Sequence, residues 1–181
     1  MLQFGQVKAW DVPSDEQRMV VVGVGARAAV EACALADSAA ALMRMGCRDA
    51  ADRELRKSRE LWQPTRADTS GDLDIVAARL ELDRGRLNLA EPLASASVRR
   101  WQGIGGRIHT WSSITLATIH VRAGEPSGLV LAHGAITATS KLSSVRARTQ
   151  LAPLATALEA RPGSDVQELA RMARQVAATR A

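Results

Sequence analysis

The sequence predicts an all-α protein: a right-handed superhelix of about four helical hairpins with a period of 39 residues. Three observations carry that expectation. Gly46, Gly85, Gly124 and Gly163 stand in series, each 39 residues after the last. Other columns keep the same register: Ala39, Ala78 and Ala117 are small, Ala41, Leu80, Ile119 and Leu158 are apolar, and Ala51/Ala90, Ser58/Ser97, Trp62/Trp101 and Arg122/Arg161 recur. Aromatic residues make up only 3% of the chain, with one Phe and no Tyr. The core must therefore come from Ala, Leu, Val, Ile and Met, among which Ala and Leu lose little entropy in a helix. A fixed period with apolar, small and glycine columns in step is the trace of stacked supersecondary units, none of which buries its apolar face alone.

Each unit reads as helix, glycine turn, helix. In "GDLDIVAARLELDRGRLNLAEPLASASVRRW", Leu73, Val76, Ala77 and Leu80 share a helical face, Gly85 ends the first helix, and helical spacing resumes from Leu89 to Trp101. Glycine suits that turn because a left-handed helix cap leaves no room for a Cβ. The third unit turns at "RAGEPSG", with Pro126 early in its second helix. The fourth turns at "RPGSD", where Ser164 or Asp165 is expected to cap the last helix. "WQPTRADTSGD" and "WQGIGGR", rich in breakers, separate neighbouring units. The domain plan is a segment 1–27 with an extra helix, then a repeat domain over 28–181 in units of about 28–66, 67–105, 106–142 and 143–181.

One stretch competes with this plan. "VVVGVGARAA", residues 20–29, has an apolar β-branched run entering Gly-x-Gly-x-x-Ala, as a dinucleotide-binding loop does. That chemistry needs a strand before the glycines, a helix after them and a second strand beyond. No second β-branched run appears before residue 100. The stretch is expected instead to be a junction between the extra helix, begun at Ser14-Asp15-Glu16-Gln17, and the next one.

Bulk composition sets further bounds. A chain of 181 residues, 46% apolar and 24% charged, suits one folded soluble domain. The formal net charge is +5, with 21 of the 24 basic residues being Arg, a compositional bias of the kind a GC-rich genome imposes. Acids and bases mix, as in "RDAADRELRKSRE", a solvated helix face. Arg99, Arg100 and Arg107 come nearest to a basic patch but lack the interleaved aromatics of a single-strand binder, so no direct nucleic-acid binding is expected. Cys33 and Cys47 form no C-x-x-C pair, and no stretch is apolar enough to span a membrane. A cytoplasmic location, without membrane, metal or cofactor, is the expectation.

The helix-turn-helix units, with their small-residue column and turn glycine, resemble tetratricopeptide-type repeats. "LDIVAARLELDRGRLNLAEPLASASVRRW", "SSITLATIHVRAGEP", "LAHGAITATSKLSSVRAR" and "LATALEARPGSDVQELARMARQ" are also similar to the C-terminal repeat region of large actinobacterial transcriptional regulators, over residues 28–181. The resemblance implies a helical sensor or interaction module in regulation. It does not extend to a basic DNA-reading helix-turn-helix or to a Gly-x-x-x-x-Gly-Lys-Ser/Thr phosphate loop, both of which the chain lacks.

Catalytic patterns are not compelling. His109, His120 and His133 are never at the i, i+4 spacing of a helical metal pair, although His120 and His133 flank one turn. Ser112-Ser113 and Ser143-Ser144 lack a nucleophile elbow, and Glu81/Asp83 diverge on a helix while Asp72/Asp74 begin one. Trp62, Trp101 and Trp111 are candidate binding anchors, but two of them share a repeat column at the end of the second helix, which favours packing between adjacent units. The expectation is a non-enzymatic module that binds a protein or peptide partner in a groove lined by the first helices, with Arg79, Asp83, His120 and Arg122 on or near it and arginine forks holding carboxylates. A small-molecule-sensing domain and a self-associating structural protein, a homo-oligomer, are the alternatives.

Overall fold

The computed structural model describes residues 15–61, 70–103 and 106–179. Every regular element among them is helical: α1 (Asp15–Arg44), α2 (Arg48–Leu61), α3 (Ser70–Asp83), α4 (Leu87–Trp101), α5 (Gly106–Ala123), α6 (Ser127–Ser140), α7 (Val145–Thr149), α8 (Leu151–Glu159) and α9 (Ser164–Ala178). None of the described helices is long and apolar enough to cross a membrane.

Four pairs form hairpins: α1 with α2, α3 with α4, α5 with α6, and α8 with α9. The first three close in the same way. Gly46, Gly85 and Gly124 have φ of 78°, 75° and 81°, and their amides donate to the carbonyls of Met43, Leu82 and Val121 at 2.9, 3.0 and 3.2 Å. The next amides, of Cys47, Arg86 and Glu125, donate back to Leu42, Glu81 and His120 at 2.9, 2.9 and 3.0 Å. This pairing satisfies carbonyls that a helix end leaves bare, and it needs a residue tolerant of left-handed backbone. Gly163, in the fourth turn, has a different conformation at φ 122°.

The small columns are where the backbones come together. Ala39, Ala78, Ala117, Ala51 and Ala90 are all wholly buried, and so are Ser58 and Ser97. Ser58 Oγ donates to the Ala32 carbonyl at 2.7 Å, closing α2 on α1, while Ser97 and Ser112 share a 2.7 Å hydroxyl contact between α4 and α5. Buried hydroxyls cost free energy unless they find such partners.

The apolar core is divided among three clusters. One joins α1, α2 and α3 around Ala39, Leu55 and Leu80; the next joins α3, α4 and α5 around Ile75, Ala90 and Ile119; the last joins α5, α6, α8 and α9 around Ile136, Leu154 and Leu158. The first helices pack in order, α1 on α3, α3 on α5 and α5 on α8, with α4 also against α5 and α6 against α9. Helix α5 is buried nearly all round, from Thr110 to Val121, as a helix with neighbours on every side must be. Its Thr115 and Thr118 hydroxyls donate to the carbonyls of Trp111 and Ile114 at 3.0 and 2.7 Å, which lets polar side chains sit inside the core.

Three expectations need correction. Residues 20–29 are not a junction, because α1 runs unbroken from Asp15 to Arg44 through Gly23 and Gly25. A glycine inside a helix costs only about 1 kcal/mol, and the stretch contains no proline to stop it. The first helix of the last unit is not continuous: it is divided at Gln150 into α7 and α8. Gly163, rather than Ser164 or Asp165, holds the N-cap position of the last helix, which has no side-chain cap; Ser164 Oγ donates instead to Asp165 Oδ1 at 3.0 Å.

Candidate functional site

The aligned first helices leave a recess of about 250 Å³ across α1, α3, α5 and α7. Its apolar wall is Ala36, Leu73, Val76, Ile108, Trp111 and Ala147. Cys33, Asp37, Arg107, Ser144 and Gln150 supply the polar positions. The division of the fourth unit's first helix falls at this site: Ser144 and Ala147 of the α7 end and Gln150 at the break all line the recess.

Trp111 is its central side chain. The ring packs against both the first and second core clusters, and the Arg79 guanidinium carbon lies 5.9 Å from the ring centroid, within range of a cation–π contact. Arg79 Nη1 also donates to Gln150 Oε1, which fastens α3 to the α7–α8 corner. The indole N–H of Trp111 is buried and has no hydrogen-bond partner among the described residues. Such an orphan donor costs about 1–3 kcal/mol, and orphan donors in native structures call for an explanation.

The other polar groups are mostly committed. Ser144 caps α7 by accepting the Ala147 amide at 3.3 Å, Gln150 accepts from Arg79, and Asp37 and Cys33 have interactions within the protein. Arg107, near the start of α5, is exposed at the rim and makes no ion pair or hydrogen bond among the described residues.

Of the four residues expected in the groove, none lines this recess, and Arg79 alone touches residues that do, Trp111 and Gln150. Asp83 is exposed at the last position of α3. Arg122 caps the preceding hairpin: its Nη1 donates to the Leu82 carbonyl at 3.3 Å. Arg161 repeats the contact one step on, donating to the carbonyls of Val121 and Gly124 at 3.3 and 3.4 Å. These arginines place positive charge on helix C-terminal carbonyls, where it is stabilising. Both line a shallow cleft at the turn edge of the molecule, on Val121, Gly124 and Ala157. Asp83 stands 39 residues before Arg122, and a carboxylate there cannot cap a carbonyl.

His120 ties three elements together. Its Nδ1 lies 2.6 Å from Glu125 Oε2 and 3.0 Å from Ser127 Oγ, with Nε2 4.0 Å from Glu91 Oε1. No group of three His, Cys, Asp or Glu side chains among the described residues is placed to hold a metal ion. Ser112 and Ser113 donate to the carbonyls of Ile108 and His109 at 2.9 and 2.8 Å. Trp101 ends α4, half-buried; Trp62 lies outside the described residues.

A separate ion cluster braces α2 against α3. Arg84 contacts Asp52 at 2.5 Å and Glu81 at 3.2 Å, and Arg86 Nη2 and Nε both meet Glu81, at 2.9 and 2.5 Å. Burial opposes the charge of Arg84, but the hydrogen bond and charge of Asp52, with those of Glu81, outweigh it and hold the guanidinium above its ordinary pKa.

The residues that sequence reasoning missed are Asp37, Leu73, Val76 and Gln150 as a wall, and Arg107 as its open cation. The available signal was Trp111, which, unlike Trp62 and Trp101, has no partner at the repeat spacing. No family model, curated protein or solved structure matches the chain significantly.

Proposed function

We propose that this chain is a non-catalytic recognition module: its hairpins step along an axis as a right-handed, tetratricopeptide-like superhelix, and the trough across its first helices takes a peptide segment of a partner protein. The observation that carries this reading is the Trp111 recess, an apolar hollow built jointly by α1, α3, α5 and α7, with the tryptophan ring in its wall and, on its rim, a guanidinium without an ion pair among the described residues. The repeated turns at Gly46, Gly85 and Gly124 and the packing of each hairpin on its sequence neighbours support the serial arrangement. At about 250 Å³, the recess is smaller than the ~300–1,000 Å³ that encloses a small-molecule ligand, and it suits an inserted side chain. The resemblance to regulator repeat regions supports a role in transcriptional regulation or signalling in the cytoplasm.

The test is selection of short random displayed peptides on the full chain, followed by binding to Ala36→Leu, which fills the recess, and to Trp111→Ala, which removes its central ring. Selected peptides are expected to lose affinity for both folded variants. Peptides that bind both as well as they bind the parent protein, or repeated selections that yield none, contradict the reading.

A further inference from the structure

Resting on that peptide-binding reading, we infer the class of peptide: a segment carrying an apolar side chain next to an internal Asp or Glu, with the apolar group in the recess and the carboxylate on Arg107. The wall offers apolar surface from Ala36, Leu73, Val76, Ile108 and Trp111, so the inserted group is apolar. The acceptor atoms around it are already engaged, Ser144 Oγ by the Ala147 amide, Gln150 Oε1 by Arg79, and Asp37 within the protein, so the valences that remain on Ser144, Gln150 and Trp111 are donors. The cation among the lining residues is the Arg107 guanidinium, exposed and without an ion pair among the described residues. A guanidinium presents a planar fork matched to a carboxylate. With Asp37 engaged and Arg79 held over Trp111, the field at the mouth favours an acidic partner and selects against a basic one. Apolar hollow and cation stand side by side, so the two features must come from neighbouring positions of the bound chain.

The experiment runs the peptide selection in parallel on the parent chain and on Arg107→Glu, an exposed substitution whose folding is checked by circular dichroism. The parent chain is expected to enrich an apolar residue beside Asp or Glu. Arg107→Glu is expected to bind those peptides about tenfold or more weakly and to enrich Lys or Arg in place of the acid. Peptides that need the recess, by their loss on Ala36→Leu, but show no acidic bias or bind Arg107→Glu unchanged overturn this inference and leave peptide recognition standing. Peptides indifferent to Ala36→Leu overturn the reading beneath it. Hexanoate, an apolar carboxylate with no peptide backbone, is the competing arm: it is expected to bind far more weakly than the selected peptides, and hexanoate that binds as tightly as they do would assign the recess to a free acid and overturn the peptide assignment.

Discussion

At the scale of single residues, the glycines act for two different reasons, and the difference is measurable. Gly85 has φ of 75° with nothing within 4 Å of where a Cβ would stand; its cost on substitution is one of backbone alone, roughly 1–2 kcal/mol for Ala in left-handed geometry. Gly128 is an approach point: a Cβ there would lie 2.8 Å from the Val121 nitrogen and 2.9 Å from the His120 carbonyl carbon. Those atoms are backbone and cannot step aside. Gly128→Ala should therefore destabilise by about 1–3 kcal/mol, as overpacking does, despite the ~0.4–1 kcal/mol that the loss of glycine freedom in the unfolded chain returns. Denaturant unfolding checks it; an unchanged or raised midpoint would show that α6 does not press on α5. The turn glycines were legible because they recur in one column, whereas Gly128 was not, since closeness of two helices leaves no local pattern. Trp111 was visible as an outlier, but its neighbours across the recess come from four elements and have no common spacing.

At the scale of elements, arginines fasten one hairpin to the next. Arg161, half-buried, spans from the fourth unit to the Val121 and Gly124 carbonyls. Arg161→Ala is expected to cost about 1 kcal/mol, with Arg161→Lys recovering only part, because one ammonium cannot reach both carbonyls as the fork does. Chemical denaturation of both variants measures this, and equal midpoints for parent and Arg161→Ala would remove the clasp. Helices α8 and α9 are joined by a second device: Arg174 Nε and Nη2 each donate to Glu159 at 2.7 Å. The Arg174 hydrogen bonds hold the Glu159 carboxyl below its ordinary pKa. A carboxylate lowered in the folded state contributes stability above its unfolded pKa and loses it as pH falls through the folded value. Arg174→Gln is thus predicted to destabilise at neutral pH, the deficit shrinking in high salt and vanishing in acid; a deficit constant with pH would contradict the pair. The Arg122/Arg161 column was readable in the sequence, but not its purpose: identity at a fixed period does not say whether a side chain faces a ligand or the carbonyl of the previous turn. The division of the last unit at Gln150 also escaped, because "VRARTQLAPLATALE" has continuous helical spacing and only Pro153 hints at a boundary.

At the scale of the whole molecule, the core is a chain of three clusters in which α5 is the shared member of the last two. Helices packed on neighbours from both sides should open last, and those with one principal partner first. Native-state hydrogen exchange is expected to be slowest in α5, which packs on α3, α4, α6 and α8, and faster in α2, which rests chiefly on α1. Uniform protection across all the helices would mean a single indivisible core and would contradict the serial arrangement. The all-helical class was legible from the residue supply and the columns, since small residues at 39, 78 and 117 are the places where the helices meet. The recess was not, because it exists only once four helices have been aligned.

The most direct test is amide and indole chemical-shift mapping of the full chain titrated with a selected peptide. Perturbations are predicted to converge on residues 33–37, 73–79, 107–111 and 144–150, with the Trp111 indole N–H among them, identified by its disappearance in Trp111→Phe. Perturbations confined to α2, α4 and α6, with the Trp111 indole unmoved at saturation, would contradict recognition in the trough of the first helices.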